Sequence, residues 1–289
     1  MAGKTSKQTA IIADSVACLT GEQVQKYGIG IVPLNIVYDG MAYKDWVDIT
    51  PNEAYEFFLK NPDVFSTSAP TPEDFLHAYR EAALQSDNIL CITLSAKLST
   101  TCNTAKIAVD YAKKELPGTH IEVMDSRTAT AAEGFIALAA AEAAEMGKSF
   151  TEVVDAAVRM RDKVMALVLL DTIRHVYRSG RVPRIAAQVG SILNLHPLLS
   201  VHNGVNFIGV ARNREKGIEL LLRKTQEKVG GRPVHMAVLH AYAQEAAEKL
   251  KQRVTAEFDC REFWVSEFSP IMGYACGTGT LGLAFYTED

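Results

Sequence analysis

Short apolar runs alternate along this chain with longer segments whose apolar residues recur every three to four positions, the pattern of repeated strand–helix units. Thr9-Ala10-Ile11-Ile12-Ala13-Asp14 reads as a first buried strand. Residues 29–38 read as a second, closed by the turn Asp39-Gly40. Helices are expected over 51–59 and 72–85, because Thr50-Pro51 and Thr71-Pro72 place a capping hydroxyl before a proline suited to a first helical turn. A strand over 88–94, a helix over 98–116 and a strand over 120–124 follow, the last ending in Asp125-Ser126. An alanine-rich helix over 131–146 stops at Gly147.

A second block of the same kind begins near Ser149. It reads as helix 150–162, strand 164–170, helix 184–195, short strands near 197–202 and 206–211, helix 214–229, strand 234–240, helix 243–258 and strand 262–267. A glycine-rich loop, Gly277-Thr278-Gly279, leads into a last apolar run. At 289 residues the chain is long for one hydrophobic core. The expected fold class is therefore α/β with two domains, the boundary falling softly within 149–164 and taken as 1–160 and 161–289.

The hydroxyl-rich stretches carry the first chemical hint. Ser66-Thr67-Ser68-Ala69-Pro70-Thr71 precedes one expected helix, and Ser95-Ala96-Lys97-Leu98-Ser99-Thr100-Thr101 follows a strand. Neutral hydroxyls beside fresh helix N-termini suit a carboxylate or phosphate, since unpaired amides and the helix dipole favour an anion there. Neither stretch contains a base that would turn a hydroxyl into a nucleophile. Thr67 and Ser95 are the candidates for holding the anion, against the reading in which these hydroxyls only cap helices. Asp14-Ser15 and Asp125-Ser126 both lie at expected strand ends, where open α/β sheets bind ligands. Arg181, after Gly180, and the run Arg212-Asn213-Arg214 at a strand end are candidates for neutralising an acidic group, whereas Arg174 and Arg178 at i, i+4 read as a solvated helix face.

Composition narrows the classes. A formal net charge of −4 with no basic run gives no footprint for nucleic acid. No apolar stretch approaches the roughly 20 residues of a membrane span, and the first residues lack a secretory core. Five scattered cysteines without a C-x-x-C pair argue for a reducing cytoplasm and against a zinc site. Neither a phosphate-binding glycine loop nor a G-x-S-x-G elbow occurs.

These segments together resemble the DegV family of bacterial fatty-acid-binding proteins. The likeness runs from Ile12-Ala13-Asp14-Ser15 and Val32-Pro33-Leu34-Asn35 through the T-S-x-P-[ST]-P-x-x-F pattern ending at Phe75, then Ser95 to Thr101 and Asp125-Ser126. It continues with Ser179-Gly180-Arg181-Val182, Ala211-Arg212, Ser269-Pro270-Ile271-Met272-Gly273 and Gly277-Thr278-Gly279. The resemblance implies two α/β domains with a lipid-binding cleft or tunnel between them. It also implies a bound long-chain fatty acid, no catalytic residue and no other cofactor. Thr67 and Ser95 would hydrogen-bond the carboxylate, with Ser15, Ser99, Ser126, Arg181, Arg212 and Tyr274 supporting the cleft. The partner would be a separate fatty acid kinase that makes the acyl-phosphate, in a cytoplasmic setting with transient membrane-surface contact.

The chain departs from the family pattern in places. Ala96 stands where a serine is usual, Thr100 replaces a common glycine, and Val16-Ala17-Cys18 alters the early D-S-T-x-D-L run. Ala275 stands where the family often has a histidine, so Tyr274 or Cys276 would have to compensate, or the ligand would differ. The rival reading is an enzyme acting on a phosphorylated or carboxylated substrate, with the two Asp-Ser pairs at its centre and Arg181 as electrophile.

Overall fold

The structure is a computed structural model, and it describes residues 9–181 and 195–288. Its strands, in chain order, are β1 (Ala10–Asp14), β2 (Gly30–Val32), β3 (Asn35–Tyr38), β4 (Met41–Lys44), β5 (Phe65–Ser68), β6 (Asn88–Thr93) and β7 (His120–Asp125). Then come β8 (Met165–Leu169), β9 (His196–Val201), β10 (Val205–Ala211), β11 (Val234–His240), β12 (Cys260–Glu267) and β13 (Leu281–Thr287). The mixed α/β class expected from the pattern is the one found. The helix expected over 184–195 falls on residues outside those described.

The chain divides into two units, Met1–Asn35 with Ser68–Asp162, and Ile36–Thr67 with Lys163–Asp289. Residues 36–67 thus group with the block that begins at Lys163. Long-range bonds explain why. Tyr55, fully buried on the helix Pro51–Lys60, donates its phenol to the Phe268 carbonyl at 2.9 Å. Ser269 donates to the buried carboxylate of Asp45 at 2.6 Å. Gly273 permits the same packing, because a side chain there would collide with the Tyr55 ring.

In the first unit a four-stranded sheet runs β2-β1-β6-β7, and every pairing is parallel. Two of its strands, β1 and β6, are near-continuous buried runs because helices cover them. Phe75, Leu76 and Tyr79 of the helix Pro72–Ala83 and Ala105, Ala108 and Ala112 of the helix Thr101–Glu115 pack on Ile12, Ile89 and Cys91. The chain leaves β1 for β2 on one side and returns to β6 on the other, so the strand order reverses between β1 and β6. A crevice at such a reversal, beyond the carboxyl ends of the strands, is where open α/β sheets place ligands.

In the second unit six strands run β10-β9-β8-β13-β11-β12, antiparallel except for β11 with β12. The last strand of the chain lies in the middle of this sheet, which carries the glycine-rich loop to the end of β8. Residues 36–67 supply most of a separate three-stranded sheet, β4-β3-β5.

Three local expectations changed. Residues 29–38 form two strands, not one, because Pro33 cannot donate to a ladder and the chain passes from one sheet to another there. The helix Gly21–Tyr27 was not foreseen. It has a capping box from Thr20 and Gln23 and a left-handed Gly28 at its end, yet buries none of its residues, so it has no apolar stripe to read. The helix expected from 98 begins at Thr101 instead, since Leu98 and Ser99 donate to the Ser95 carbonyl in a preceding turn.

Candidate functional site

The reversal between β1 and β6 is held by polar groups from neighbouring strand ends. Asp14, fully buried at the end of β1, accepts from the Val16 amide at 3.0 Å with one oxygen and from the Leu94 amide at 2.8 Å with the other. Asp125, at the end of β7, accepts from the Ala96 amide at 3.2 Å and the Arg127 amide at 2.8 Å. Between them the Ser95 amide donates to the Thr128 carbonyl at 2.7 Å. Three consecutive amides, those of residues 94, 95 and 96, are therefore fixed by two flanking strands and one flanking loop. A buried amide left unpaired costs about 1–3 kcal/mol, so this loop has little freedom to move.

Ser95 is 1% exposed. Its hydroxyl oxygen accepts from the Lys97 amide at 3.3 Å, and among the described residues its own proton reaches no acceptor. Ser15 and Ser126, expected as supporting hydroxyls, have structural work instead. The Ser15 hydroxyl accepts from the Leu34 amide at 3.1 Å, just after Pro33 ends β2. The Ser126 hydroxyl donates to the Thr128 carbonyl at 3.2 Å and accepts from the Thr128 amide at 3.3 Å, closing a local turn. Ser99 pairs with the Thr101 hydroxyl at 2.8 Å. The structure thus gathers Ser15, Ser95, Ser99 and Ser126 in the first unit, and leaves Ser95 with a hydroxyl proton to donate.

Sequence reasoning named the two Asp-Ser pairs as a rival catalytic centre. Both carboxylates are instead engaged by backbone amides, Asp14 through both of its oxygens. Their clamping role had one signal in the sequence, an aspartate at the end of each of two strands, but it depends on those strands flanking β6.

Thr67 belongs to the second unit. The capping alternative for its hydroxyl cluster resolves in favour of Thr71, which forms a full capping box with Asp74 at the helix Pro72–Ala83. Thr67 is half-buried on β5, and its hydroxyl makes no hydrogen bond among the described residues. Two-residue periodicity puts it on the same face of the strand as buried Phe65. Tyr274 stacks on Phe65 with ring centroids 5.8 Å apart, and Phe58 meets Phe65, Tyr274 and His175 at 5.3, 6.2 and 5.2 Å. Tyr274 and Thr67 thus share one aromatic neighbourhood. Cys276 is less suited to compensate for Ala275: its thiol donates to the Met272 carbonyl at 2.7 Å, and burial pushes its pKa up to about 12.

The glycine-rich loop packs against this neighbourhood. Gly277 has φ +86°, and a side chain there would strike the His175 ring. Gly279 presents its carbonyl to Arg214 at 2.8 Å, and Arg214 also binds Asp171 at 2.5 Å. Arg214 belongs to the run Arg212-Asn213-Arg214 read as a candidate for an acidic ligand, but its partners here are Asp171 and the Gly279 carbonyl, brought together by β13 lying beside β8.

A cavity of about 770 Å³ in the second unit is lined by Arg174, His175, Arg178, Arg212 and His196, with Asp171 as its acid. Arg212 is exposed and makes no hydrogen bond or ion pair among the described residues. Arg178 pairs with Asp63 at 3.0 Å. Burial first, then Arg178 and Arg174, lower the His175 pKa and so favour the neutral ring. Arg181 instead folds onto its own helix end, donating to the Ser179 carbonyl at 2.7 Å. The cavity is open to an anion, being polar and ringed by cations.

Among the described residues no group of three or more His, Cys, Asp or Glu side chains is arranged to hold a metal, and no helix is long and apolar enough to cross a membrane.

Comparison with known proteins places the chain in a family. The profile of the DegV family, described as uncharacterised, matches residues 8–288. A DegV domain-containing protein of Streptomyces coelicolor is 34% identical over 96% of this chain and 98% of its own length. The protein DegV of Bacillus subtilis is 28% identical over 96% of this chain and 98% of its own. The solved structure of a DegV family protein from Thermus thermophilus, described by its fatty acid binding, superposes with a TM-score of 0.88. It is 30% identical and covers 97% of this chain and 100% of that one. The structure of Bacillus subtilis DegV, described as a fatty acid binding protein, also gives a TM-score of 0.88, with 27% identity, 98% of this chain and 100% of that one covered. With the family profile spanning nearly all of its length, this chain belongs to the DegV family.

Proposed function

We propose that this protein binds one long-chain fatty acid, orients its carboxylate with the hydroxyls of Thr67 and Ser95, and presents that carboxylate to a separate fatty acid kinase. The observation that carries this reading is the clamped loop at residues 94–96, which fixes a buried serine at a sheet reversal while leaving its proton undirected. Thr67 supports it, as a half-buried hydroxyl with no capping duty and no hydrogen bond among the described residues. The fatty acid binding described for relatives at 27% and 30% identity supports the ligand class.

Two hydroxyls suit such a ligand. They donate to a carboxylate yet cost less to desolvate than a lysine or arginine. The grip comes from the aliphatic chain: each methylene removed from water is worth roughly 0.8 kcal/mol, so about a dozen give on the order of 10 kcal/mol. Part of that is lost to ordering the ligand and the protein. The head group therefore needs aiming more than affinity.

Phosphorylation requires a partner, because the sequence has no phosphate-binding glycine loop. The cationic cavity of the second unit, where Arg212 has no ion pair among the described residues, supports a role in receiving the phosphoryl chemistry that the kinase brings. The proposed setting is the cytoplasm.

Mass spectrometry of lipids released by denaturing the purified protein tests the ligand. A long-chain fatty acid is expected. If none is released, and none added later raises the melting temperature, the reading fails.

A further inference from the structure

We propose that Glu133 is a positioning residue for the Ser95 loop, sharing one proton with Asp14 so that Asp14 remains set to receive the Leu94 amide. This rests on the reading of Ser95 as a head-group ligand. Its starting observation is independent of any ligand: a fully buried glutamate among the apolar first turns of a helix.

Glu133 is the third residue of the helix Ala131–Glu145, and its side chain has no solvent exposure. Ala131, Ala132, Phe135, Ile136 and Ala137 around it are buried as well. A carboxylate in such surroundings needs a partner or a proton. Neither Glu133 oxygen meets a hydrogen-bond partner at full geometry, and no cation faces the group among the described residues. What faces it is acidic: Asp14 from the end of β1 and Asp125 from the end of β7. The Cys91 thiol of β6 faces the same interior.

Two adjacent buried carboxyls cannot both ionise without large repulsion. Asp14 receives two backbone amides at hydrogen-bond distance, which favour its charge; toward Glu133 only the Asp14 backbone amide acts in that sense, and more weakly than the burial and the acidic neighbours that oppose it. The proton therefore belongs on Glu133. Its pKa is held well above the usual carboxylate range, first by burial and then by the charge of Asp14. A protonated glutamate is a donor, and Asp14 is the acceptor beside it. The second anion created by ionising Glu133 is relieved most directly by loosening Asp14 from Leu94, the residue before Ser95.

The test compares the full chain with Glu133→Gln, which keeps a donor toward Asp14 and cannot titrate. A glutamate whose pKa is raised on folding contributes its stability below the unfolded value near 4.3, and loses it as pH rises toward the folded value. Urea unfolding is measured from pH 5 to 8. The folding constant of the wild type is expected to fall with rising pH relative to Glu133→Gln over that window, by at most about tenfold per pH unit, one proton's worth. The ¹⁵N shift of the Leu94 amide is followed in parallel, and is expected to titrate with Glu133 in the wild type only. Matching pH slopes in the two proteins, or a Leu94 shift that titrates alike in both, overturns the proposal. Palmitate binding is measured separately. If palmitate binds neither protein while the slopes differ, the ligand reading fails and the carboxyl pair stands. If palmitate binds both and the slopes coincide, the pair fails and the ligand reading stands.

Discussion

The two units hold their candidate hydroxyls in opposite ways. In the first, Ser95 lies on a loop whose amides are taken up by Asp14, Thr128 and Asp125, so its position is over-determined. In the second, Thr67 lies on a short strand beside stacked aromatic rings, and no hydrogen bond among the described residues fixes its hydroxyl. The charges differ as well. The first unit surrounds its loop with buried carboxyls, and the second rings its cavity with arginines and histidines. One region fixes its hydroxyl's loop through backbone bonds, and the other sets its hydroxyl on a strand with buried aromatic rings, in a unit whose cavity is lined by arginines.

Removing a clamp tests that contrast most strongly. Asp14→Ala leaves the buried Val16 and Leu94 amides without their acceptor, and two such orphans at about 1–3 kcal/mol each predict a loss of roughly 2–6 kcal/mol in urea unfolding. A loss below 1 kcal/mol would show that the loop is not held as described. Gly277→Ala comes next. A left-handed backbone costs a non-glycine residue about 1–2 kcal/mol, and the new methyl group would also meet the His175 ring, so a melting temperature several degrees lower is expected. Thr67→Ala should change stability by no more than about 0.5 kcal/mol, the usual range for a position outside any hydrogen-bond network. Arg212→Ala should be the mildest for folding, within the same range. Under the proposed function it should also slow phosphoryl transfer by a partner kinase, and the salt sensitivity of that transfer should fall with it.

The contrast also shows what a single sequence can disclose. The helix Arg214–Val229 was legible in full, because Asn213 caps it, left-handed Gly230 ends it, and its apolar residues recur on one face. Strand ends bearing Asp14 and Asp125 were legible as well. Their function was not, since it exists only once β1 and β7 flank β6 in parallel register. The assignment of 36–67 was equally hidden: it depends on Tyr55 and Asp45 bonding to residues more than two hundred positions away. Thr67 was picked out for its residue type, and what strengthens it is the finding that Thr71 alone does the capping. Polar function written in local spacing could be read; polar function created by strand order could not.

The most direct test of the central claim is the affinity of delipidated wild type and the double variant Thr67→Ala/Ser95→Ala for a long-chain fatty acid and for its methyl ester. Losing two charge-assisted hydrogen bonds predicts that the acid binds the variant more weakly by roughly 2–5 kcal/mol, while the ester, which lacks the carboxylate, changes little. Equal affinity of the acid for both proteins would contradict the account.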